Sequence, residues 1–215
     1  MNASYLKKAR IVLFFFALLA GSNVRATESW KEVESESGVT IYERWVKVSG
    51  DLAVKERKGE MIIKGTMSAV INTLNDPSKN KLWMENVSDA FLVKKESDWE
   101  WSSYTYFALP WPFESRDMVA FSRLNYCGQT CATIEMISRE NDLPVKQNVK
   151  RLTDYKATWT ITDLGNGRIF ISLSAISLTT PEFPRFLQDP VVRGVFMRNM
   201  LKLKGILCDK YQIPS

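Results

Sequence analysis

The second half of the chain alternates apolar and polar residues between short turns, and this pattern restricts it to an antiparallel sheet. It predicts six strands, at residues 87–96, 99–109, 118–127, 131–139, 149–164 and 168–178. Gly-Asn-Gly at 165–167 is typical of a hairpin turn. One helix is then predicted over 189–211, because apolar residues recur there every three or four positions. It opens with Asp189 as a cap and Pro190 at its first position.

The first half of the chain predicts a hairpin and several helical segments. Residues 39–48 and 51–64 read as strands joined by a turn at 49–51, and the charged segment 28–36 is predicted as one or two helical turns. Segments 66–76 and 78–86 predict two short helices after the second or third strand. Consecutive antiparallel strands with helices set apart indicate the α+β class, with a curved sheet wrapped around the long C-terminal helix.

Residues 1–26 have the pattern of a cleaved signal peptide. Lys7, Lys8 and Arg10 precede the apolar run 11–21, and Val24-Arg25-Ala26 offers a cleavage site. The run is shorter than the roughly 20 residues of a membrane-spanning helix, and an uncleaved anchor is the alternative. We expect an exported protein, periplasmic or otherwise secreted, with one domain at 27–215.

Charge and composition exclude several classes of function. Removing the four basic residues of the first 26 from the 29 in the chain leaves 25, against 24 acidic ones. This balance gives no reason to expect a nucleic-acid partner. The chain has no histidine, which removes Ser-His-Asp chemistry and His-ligated zinc. We expect no metal and no cofactor.

Cys127 and Cys131 flank a three-residue turn of a predicted hairpin. Opposed Cβ atoms lie near disulfide distance, and an exported protein meets an oxidising compartment. We expect a disulfide there, with two free thiols or a metal pair as alternatives. Cys208 lies within the helical pattern and is expected to be a small buried residue.

The segment YTYFALPWPFESRDMV at 104–119 carries a resemblance to a known family. It is similar to the START lipid-transfer domain, of the helix-grip superfamily, in which a Tyr-x-Tyr strand leads into Pro-Trp-Pro and then Arg-Asp. The matching residues are Tyr104, Tyr106, Pro110, Trp111, Pro112, Arg116 and Asp117. The resemblance extends over most of residues 27–215. It implies a monomer that binds one lipid or other apolar molecule in an internal cavity without catalysis, and that transfers it between membranes.

Candidate cavity residues lie on the predicted strands and the last helix. They are Trp101, Tyr104, Tyr106, Phe121, Trp159, Ser172, Ser174, Phe196, Asn199, Met200 and Leu203. Each ring has the alternative of simply filling the interior. The two serines have the alternative of a solvent face on an edge strand, and Asn199 that of a helix rim.

Pro110, Trp111, Pro112, Arg116 and Asp117 are predicted to form a structural corner, because neither proline can donate to a sheet. Arg116 needs a partner, and Glu114 and Asp117 are the nearby candidates.

Two further possibilities stay open from the sequence. The apolar loop at 181–186, with Pro181, Phe183, Pro184 and Phe186, could touch a membrane transiently. The alternative function is a helix-grip enzyme of the cyclase or hydrolase type, with carboxylate or tyrosine acid–base groups. The ligand itself is not specified, and sterols, phospholipids and fatty acids all fit.

Overall fold

The computed structural model describes residues 28–49, 52–111, 113–179 and 181–209. The predicted signal peptide, Pro112 and the end of the predicted last helix lie outside these ranges. The elements are β1 (Lys31–Glu36), β2 (Val39–Ser49), β3 (Leu52–Lys64), α1 (Met67–Leu74), α2 (Asn80–Trp83), β4 (Val87–Lys95), β5 (Glu100–Phe107), β6 (Arg116–Tyr126), β7 (Cys131–Ser138), β8 (Lys150–Arg151), β9 (Tyr155–Asp163), β10 (Arg168–Ser177) and α3 (Arg185–Asp209). A 3-10 turn at Pro77–Lys79 precedes α2.

All ten strands form one sheet, in the order β1-β2-β3-β10-β9-β7-β6-β5-β4, with β8 paired to β6 off this path. Every pairing is antiparallel except that of β8 with β6. The last strand, β10, lies between β3 and β9, so it joins the N-terminal hairpin to the meander. The predicted α+β class and the two short helices after the third strand are confirmed.

Helix α3 crosses one face of the sheet, called here the inner face. Its residues Met197, Met200, Leu203 and Leu207 are buried against that face. Gly59 on β3 permits the close approach, because a Cβ there would lie 3.0 Å from Met200 Cγ. Burial of about four large apolar side chains contributes several kcal/mol, which fixes the C-terminal half of α3 in place.

The sequence pattern predicted one or two helical turns at residues 28–36. The structure instead has the edge strand β1 there. Its residues pair with β2, and Ser37 and Gly38 form the turn with φ values of 47° and 72°. Two successive positive φ angles are typical of the two-residue turn that joins a hairpin. The prediction was wrong because the segment has little apolar periodicity of its own, and pairing with β2 decides its conformation.

The long helix begins one turn earlier than predicted. The amide groups of Leu187 and Gln188 donate to the carbonyl of Pro184, at 2.9 and 3.1 Å. Pro190 therefore lies inside α3 and leaves one helical hydrogen bond unmade. Asp189 is not the cap, because its carboxylate forms ion pairs with β3.

The predicted strand at 149–164 is divided into β8 and β9. Asp154, which lies between them, has a positive φ of 55°. Among the helices of the described residues, none combines the length and apolarity required to cross a bilayer.

Candidate functional site: three adjoining cavities beneath the C-terminal helix

An internal cavity of about 100 Å³ lies between the inner face of the sheet and α3. Its wall is mostly apolar and comes from α1, α2, five strands and α3. Among its lining residues are Trp83, Trp101, Ser122, Met136, Tyr155, Trp159, Phe196, Asn199 and Met200. The rings of Trp83 and Trp159 meet edge to face, with centroids 5.9 Å apart, and form one rigid side of the cavity.

The wall of the internal cavity contains no acidic or basic residue among those described. Tyr155 is its titratable group, and burial raises the pKa of Tyr155 to about 12. The hydroxyl therefore stays protonated at neutral pH and can donate a hydrogen bond, but it cannot act as a base there. The buried Nε1 of Trp83 and Oγ of Ser122 have no hydrogen-bond partner among the residues that the structure describes.

A second cavity, called here the polar pocket, has a volume of about 390 Å³. It adjoins the internal cavity, since Tyr155 and Phe196 line both. Its charged residues are Lys55, Arg57, Arg116, Lys150, Arg151, Arg185, Glu182 and Asp189.

Glu43 lies next to this pocket and joins α3 to the sheet. Its carboxylate contacts Lys55 at 3.0 Å, Arg57 at 3.2 Å and Arg193 of α3 at 3.1 Å. Burial alone would raise the pKa of Glu43, but hydrogen bonds from Arg193 and Lys55 and the charge of Arg57 outweigh it and lower the pKa to about 2. Asp189 adds contacts to Lys55 and Arg57 at 2.8 and 3.3 Å. The N-terminal half of α3 is thus held by ion pairs.

A third cavity, called here the apolar pocket, has a volume of about 300 Å³. Asn199 lines both this pocket and the internal cavity, while Arg116 lines both this pocket and the polar pocket. Most of its wall is aromatic or aliphatic. These wall residues are Phe107, Leu109, Pro110, Phe113, Leu152, Phe183, Val191, Val192 and Val195.

The predicted corner separates Arg116 and Asp117 onto opposite faces of the sheet. The sequence suggested Glu114 or Asp117 as the partner of Arg116. In the structure Arg116 pairs instead with Glu182, in the loop before α3. Asp117 is fully buried and pairs with Arg151 through two hydrogen bonds of 2.7 Å. Arg151 also donates to three carbonyls of the segment 140–144 and thereby fastens it. Trp111, at 92% exposure, projects from the corner beside Pro110 of the apolar pocket.

Five of the predicted cavity residues meet at the internal cavity: Trp101, Trp159, Phe196, Asn199 and Met200. Leu203 is fully buried in the core. Asn199 uses its Oδ1 to accept a 2.8 Å hydrogen bond from the amide of Glu85, which leaves its Nδ2 group for other contacts.

The other predicted residues lie on the outer face of the sheet, away from α3. Tyr104 stacks on Phe91 at 4.9 Å, and the Lys146 ammonium lies over Tyr104 and Tyr106. Arg139 lies over the ring of Phe121 at 3.7 Å. Alternation along β5 and β6 imposes this arrangement, because Trp101, Ser103, Met118 and Ser122 line the internal cavity.

Ser172 and Ser174 also point away from the cavity. They flank Leu173, which lines the cavity, so alternation places them on the outer face. Ser174 Oγ donates a 2.5 Å hydrogen bond to Glu56. Neither serine is on an edge strand, because β10 pairs on both sides.

Several residues of the site were not singled out from the sequence. Tyr155, Lys150 and Arg185 lack a distinguishing local pattern. Only Ser122, one of two polar side chains on an otherwise apolar stretch of strand, gave a signal. In the predicted apolar loop at 181–186, the two phenylalanines have different environments. The ring of Phe183 packs on that of Phe113, with centroids 5.0 Å apart, whereas Phe186 is 76% exposed.

Cys127 and Cys131 form a disulfide at the tip of the β6–β7 hairpin, as expected. Cys208 is a half-buried free thiol. In the part of the chain that the structure describes, no group of three or more Cys, Asp and Glu residues is placed to hold a metal ion.

Neither a scan of protein-family models nor a search of curated protein sequences gives a match for this chain. Solved structures do match. A STAR-related lipid transfer protein from Xanthomonas axonopodis (fragment 25–204) has 22% identity and a TM-score of 0.74, over 84% of this chain and 99% of that one. Human STARD10 has 19% identity and a TM-score of 0.70, over 85% and 74%. Human StAR-related lipid transfer protein 5 has 18% identity and a TM-score of 0.67, over 85% and 88%.

Proposed function

Because the chain has the START-like helix-grip fold, we propose that it binds one lipid or other apolar molecule beneath α3 and carries it between membranes without catalysis. The observation that carries the proposal is the apolar cavity between the sheet and α3, which adjoins two larger pockets. Ligand sites of this kind are mostly apolar with a few polar groups that orient the ligand. Trp83 and Ser122, with their unpartnered polar atoms, supply such groups.

The described wall of the internal cavity has no acidic residue, and the two carboxylates of the polar pocket, Glu182 and Asp189, are each ion-paired with two cations. This arrangement favours binding over the acid–base enzyme that the sequence also allowed. A pair of carboxylates with shifted pKa values is what an enzyme of that type requires, and Tyr155 is held in its protonated form.

The test is direct. The protein is expressed as the full chain in a bacterial host and purified, and an organic extract is analysed by mass spectrometry. We expect about one lipid per chain, and transfer of an NBD-labelled lipid between liposomes. Neither co-purifying lipid nor transfer would contradict the proposal.

A matched pair of variants on β7 locates the site. Met136 lines the internal cavity, whereas its neighbour Ile137 is 44% exposed on the other face. We expect Met136→Trp to fill the cavity and reduce bound lipid severalfold, and Ile137→Trp to leave it unchanged. Circular dichroism confirms that both variants are folded. Equal lipid content in the two variants would place the ligand elsewhere.

We also propose transient contact with a membrane at the open side of the apolar pocket. Val191 lines this pocket, Trp111 follows its wall residue Pro110, and Phe186 and Leu187 lie in the chain between its wall residues Phe183 and Gln188. The four side chains, Trp111, Phe186, Leu187 and Val191, are 92%, 76%, 55% and 51% exposed. Four exposed apolar side chains beside one pocket form a patch suited to lipid contact.

The membrane contact is tested by co-sedimentation with liposomes. The double variant Trp111→Ser, Phe186→Ser is expected to reduce binding severalfold. Leu82→Ser, which changes a 63% exposed leucine on α2, serves as the control. An equal loss of liposome binding in the double variant and in Leu82→Ser would show that the patch does not mediate membrane contact.

Export to the periplasm is proposed from residues 1–26 alone. N-terminal sequencing of the protein from its periplasmic fraction should begin at Thr27, and gel filtration should show a monomer. An intact Met1 on cytoplasmic protein would overturn the proposal of export.

A further inference from the structure

The polar pocket contains an excess of positive charge that its own acidic residues do not balance. Six basic side chains and two acidic ones line it. Three of the six are matched locally: Lys55 and Arg57 by Glu43 and Asp189, and Arg151 by Asp117. The remaining basic residues are Arg116, Lys150 and Arg185.

Two of these three cations share one carboxylate, that of Glu182, and the third has none. Glu182 accepts from Arg116 through one oxygen and from Lys150 through the other. Arg185 donates to the carbonyl of Ala53 at 2.5 Å and lies over the ring of Trp45 at 4.8 Å. It has no carboxylate partner among the described residues. Arg116, Lys150 and Arg185 together therefore carry two positive charges in excess of the one carboxylate, Glu182, that pairs with them.

Arg116 lies at the boundary between the positively charged polar pocket and the apolar pocket. It lines both the polar and the apolar pocket, and no other basic residue lines the apolar pocket in the described part of the chain. Its Nε is buried and has no hydrogen-bond partner within the described ranges of the chain. A guanidinium binds carboxylate or phosphate through two parallel N–H groups, so an anion that reached Arg116 would satisfy this donor.

We propose that the ligand is an anionic amphiphile whose carboxylate or phosphate is bound by Arg116, Lys150 and Arg185, with its apolar body in the adjoining cavities. This inference rests on the proposed function and names the ligand class. Glu182 occupies part of the anion site in the free protein and competes with the ligand for Arg116 and Lys150. Neutral lipids of the same length lack the group that these cations recognise.

The experiment measures displacement of NBD-labelled stearate from the full-chain protein at pH 7.5. The competitors are laurate, dodecyl phosphate and, as a neutral match, dodecanol. We expect both anions to bind at least about tenfold more tightly than dodecanol, since each close charge pair at a protein surface contributes on the order of a factor of ten. Inorganic phosphate, up to 10 mM by design, is expected to displace nothing.

Two variants with opposite expected effects on laurate affinity make the test specific. Arg185→Gln should weaken laurate about three- to tenfold and leave dodecanol unchanged, whereas Glu182→Gln should strengthen laurate by a similar factor. A structural role for Glu182 would weaken binding of both competitors. Arg123→Gln, an exposed residue on β6 that lies in neither pocket, is the control for total charge.

The outcomes separate the two proposals. If dodecanol binds as tightly as laurate, the ligand is not selected by charge, and this inference fails while lipid binding stands. If inorganic phosphate displaces the probe, the pocket is a site for free anions and the inference also fails. If no apolar competitor displaces the probe and no lipid co-purifies, the proposed function fails with it.

Discussion

Replacing Glu43 by glutamine should destabilise the protein in a way that depends on pH. The Glu43 carboxylate is 6% exposed and contacts three cations, two on β3 and Arg193 on α3. The variant leaves Lys55 and Arg57 paired with Asp189, and leaves Arg193 without an ion-pair partner among the described residues. Removal of one partner from a buried ion-pair network costs about 3–5 kcal/mol, because the other charges remain buried.

The shifted pKa gives an independent estimate of this loss. The pKa of Glu43 falls from 4.5 to about 2 on folding. One pKa unit corresponds to about 1.4 kcal/mol, so the ionised carboxylate contributes at most about 3 kcal/mol. Because the folded-state pKa is lowered, the contribution is complete above pH 4.5 and is lost as the pH falls towards 2. At pH 3 roughly half of it should remain.

The assay is urea unfolding followed by tryptophan fluorescence, at pH 7 and pH 3. Glu43→Gln should lower the free energy of unfolding by about 3 kcal/mol at pH 7 and by about half as much at pH 3. Glu100→Gln breaks the exposed pair with Arg123 (Nε to Oε1, 2.7 Å) and should cost less than about 1 kcal/mol at either pH. A loss below 1 kcal/mol for Glu43→Gln, or one that does not shrink at pH 3, would refute this reasoning.

Three other substitutions test the packing of the sheet. Gly59→Val should cost about 2–3 kcal/mol and lower the melting temperature, because even one Cβ there lies 3.0 Å from a side chain of α3. Replacing Cys127 and Cys131 by serine should cost about 2 kcal/mol, and dithiothreitol should have the same effect on the wild type but none on the variant. Asp117→Asn should cost about 3–5 kcal/mol in urea unfolding, because Arg151 would stay buried with its charge unpaired.

The sequence predicts which residues of a strand share a face, but it does not predict which of the two faces points towards α3. Alternation within residues 101–107 assigns Trp101 and Phe107 to one face of the strand and Tyr104 and Tyr106 to the other, and the structure has this arrangement. Both sets are aromatic, so hydrophobicity alone could not decide which faces α3. The segment around Lys146, which covers the two tyrosines, has no pattern that predicts its position.

Ion-pair partners that are distant in the sequence could not be predicted either. Arg116 pairs with Glu182, 66 residues later, and not with its acidic neighbours in the chain. Alternation explains why, since adjacent residues of a strand point to opposite faces and Asp117 therefore cannot meet Arg116. The proposed anion site combines residues of β6, β8 and the start of α3, and these elements come together only in the folded sheet.

The two halves of α3 are held by different forces, and this difference bears on how a ligand enters. Met197, Met200, Leu203 and Leu207 anchor the C-terminal half by apolar burial. The N-terminal half is held largely by Asp189 and Arg193, in ion pairs whose gain is offset by desolvation.

The same N-terminal half carries the residues that separate the cavities. The internal cavity, at about 100 Å³, is smaller than the roughly 300–1,000 Å³ of a typical ligand site, so the lipid proposed above would require the joined volume of the three cavities. Phe196 stands between the internal cavity and the polar pocket, and Val192 lines both outer pockets. Displacing this half of α3 breaks ion pairs that water and an anionic ligand can replace, whereas displacing the other half would expose the apolar core. Ligand entry therefore costs least at the N-terminal half, beside Arg116 and the exposed apolar patch.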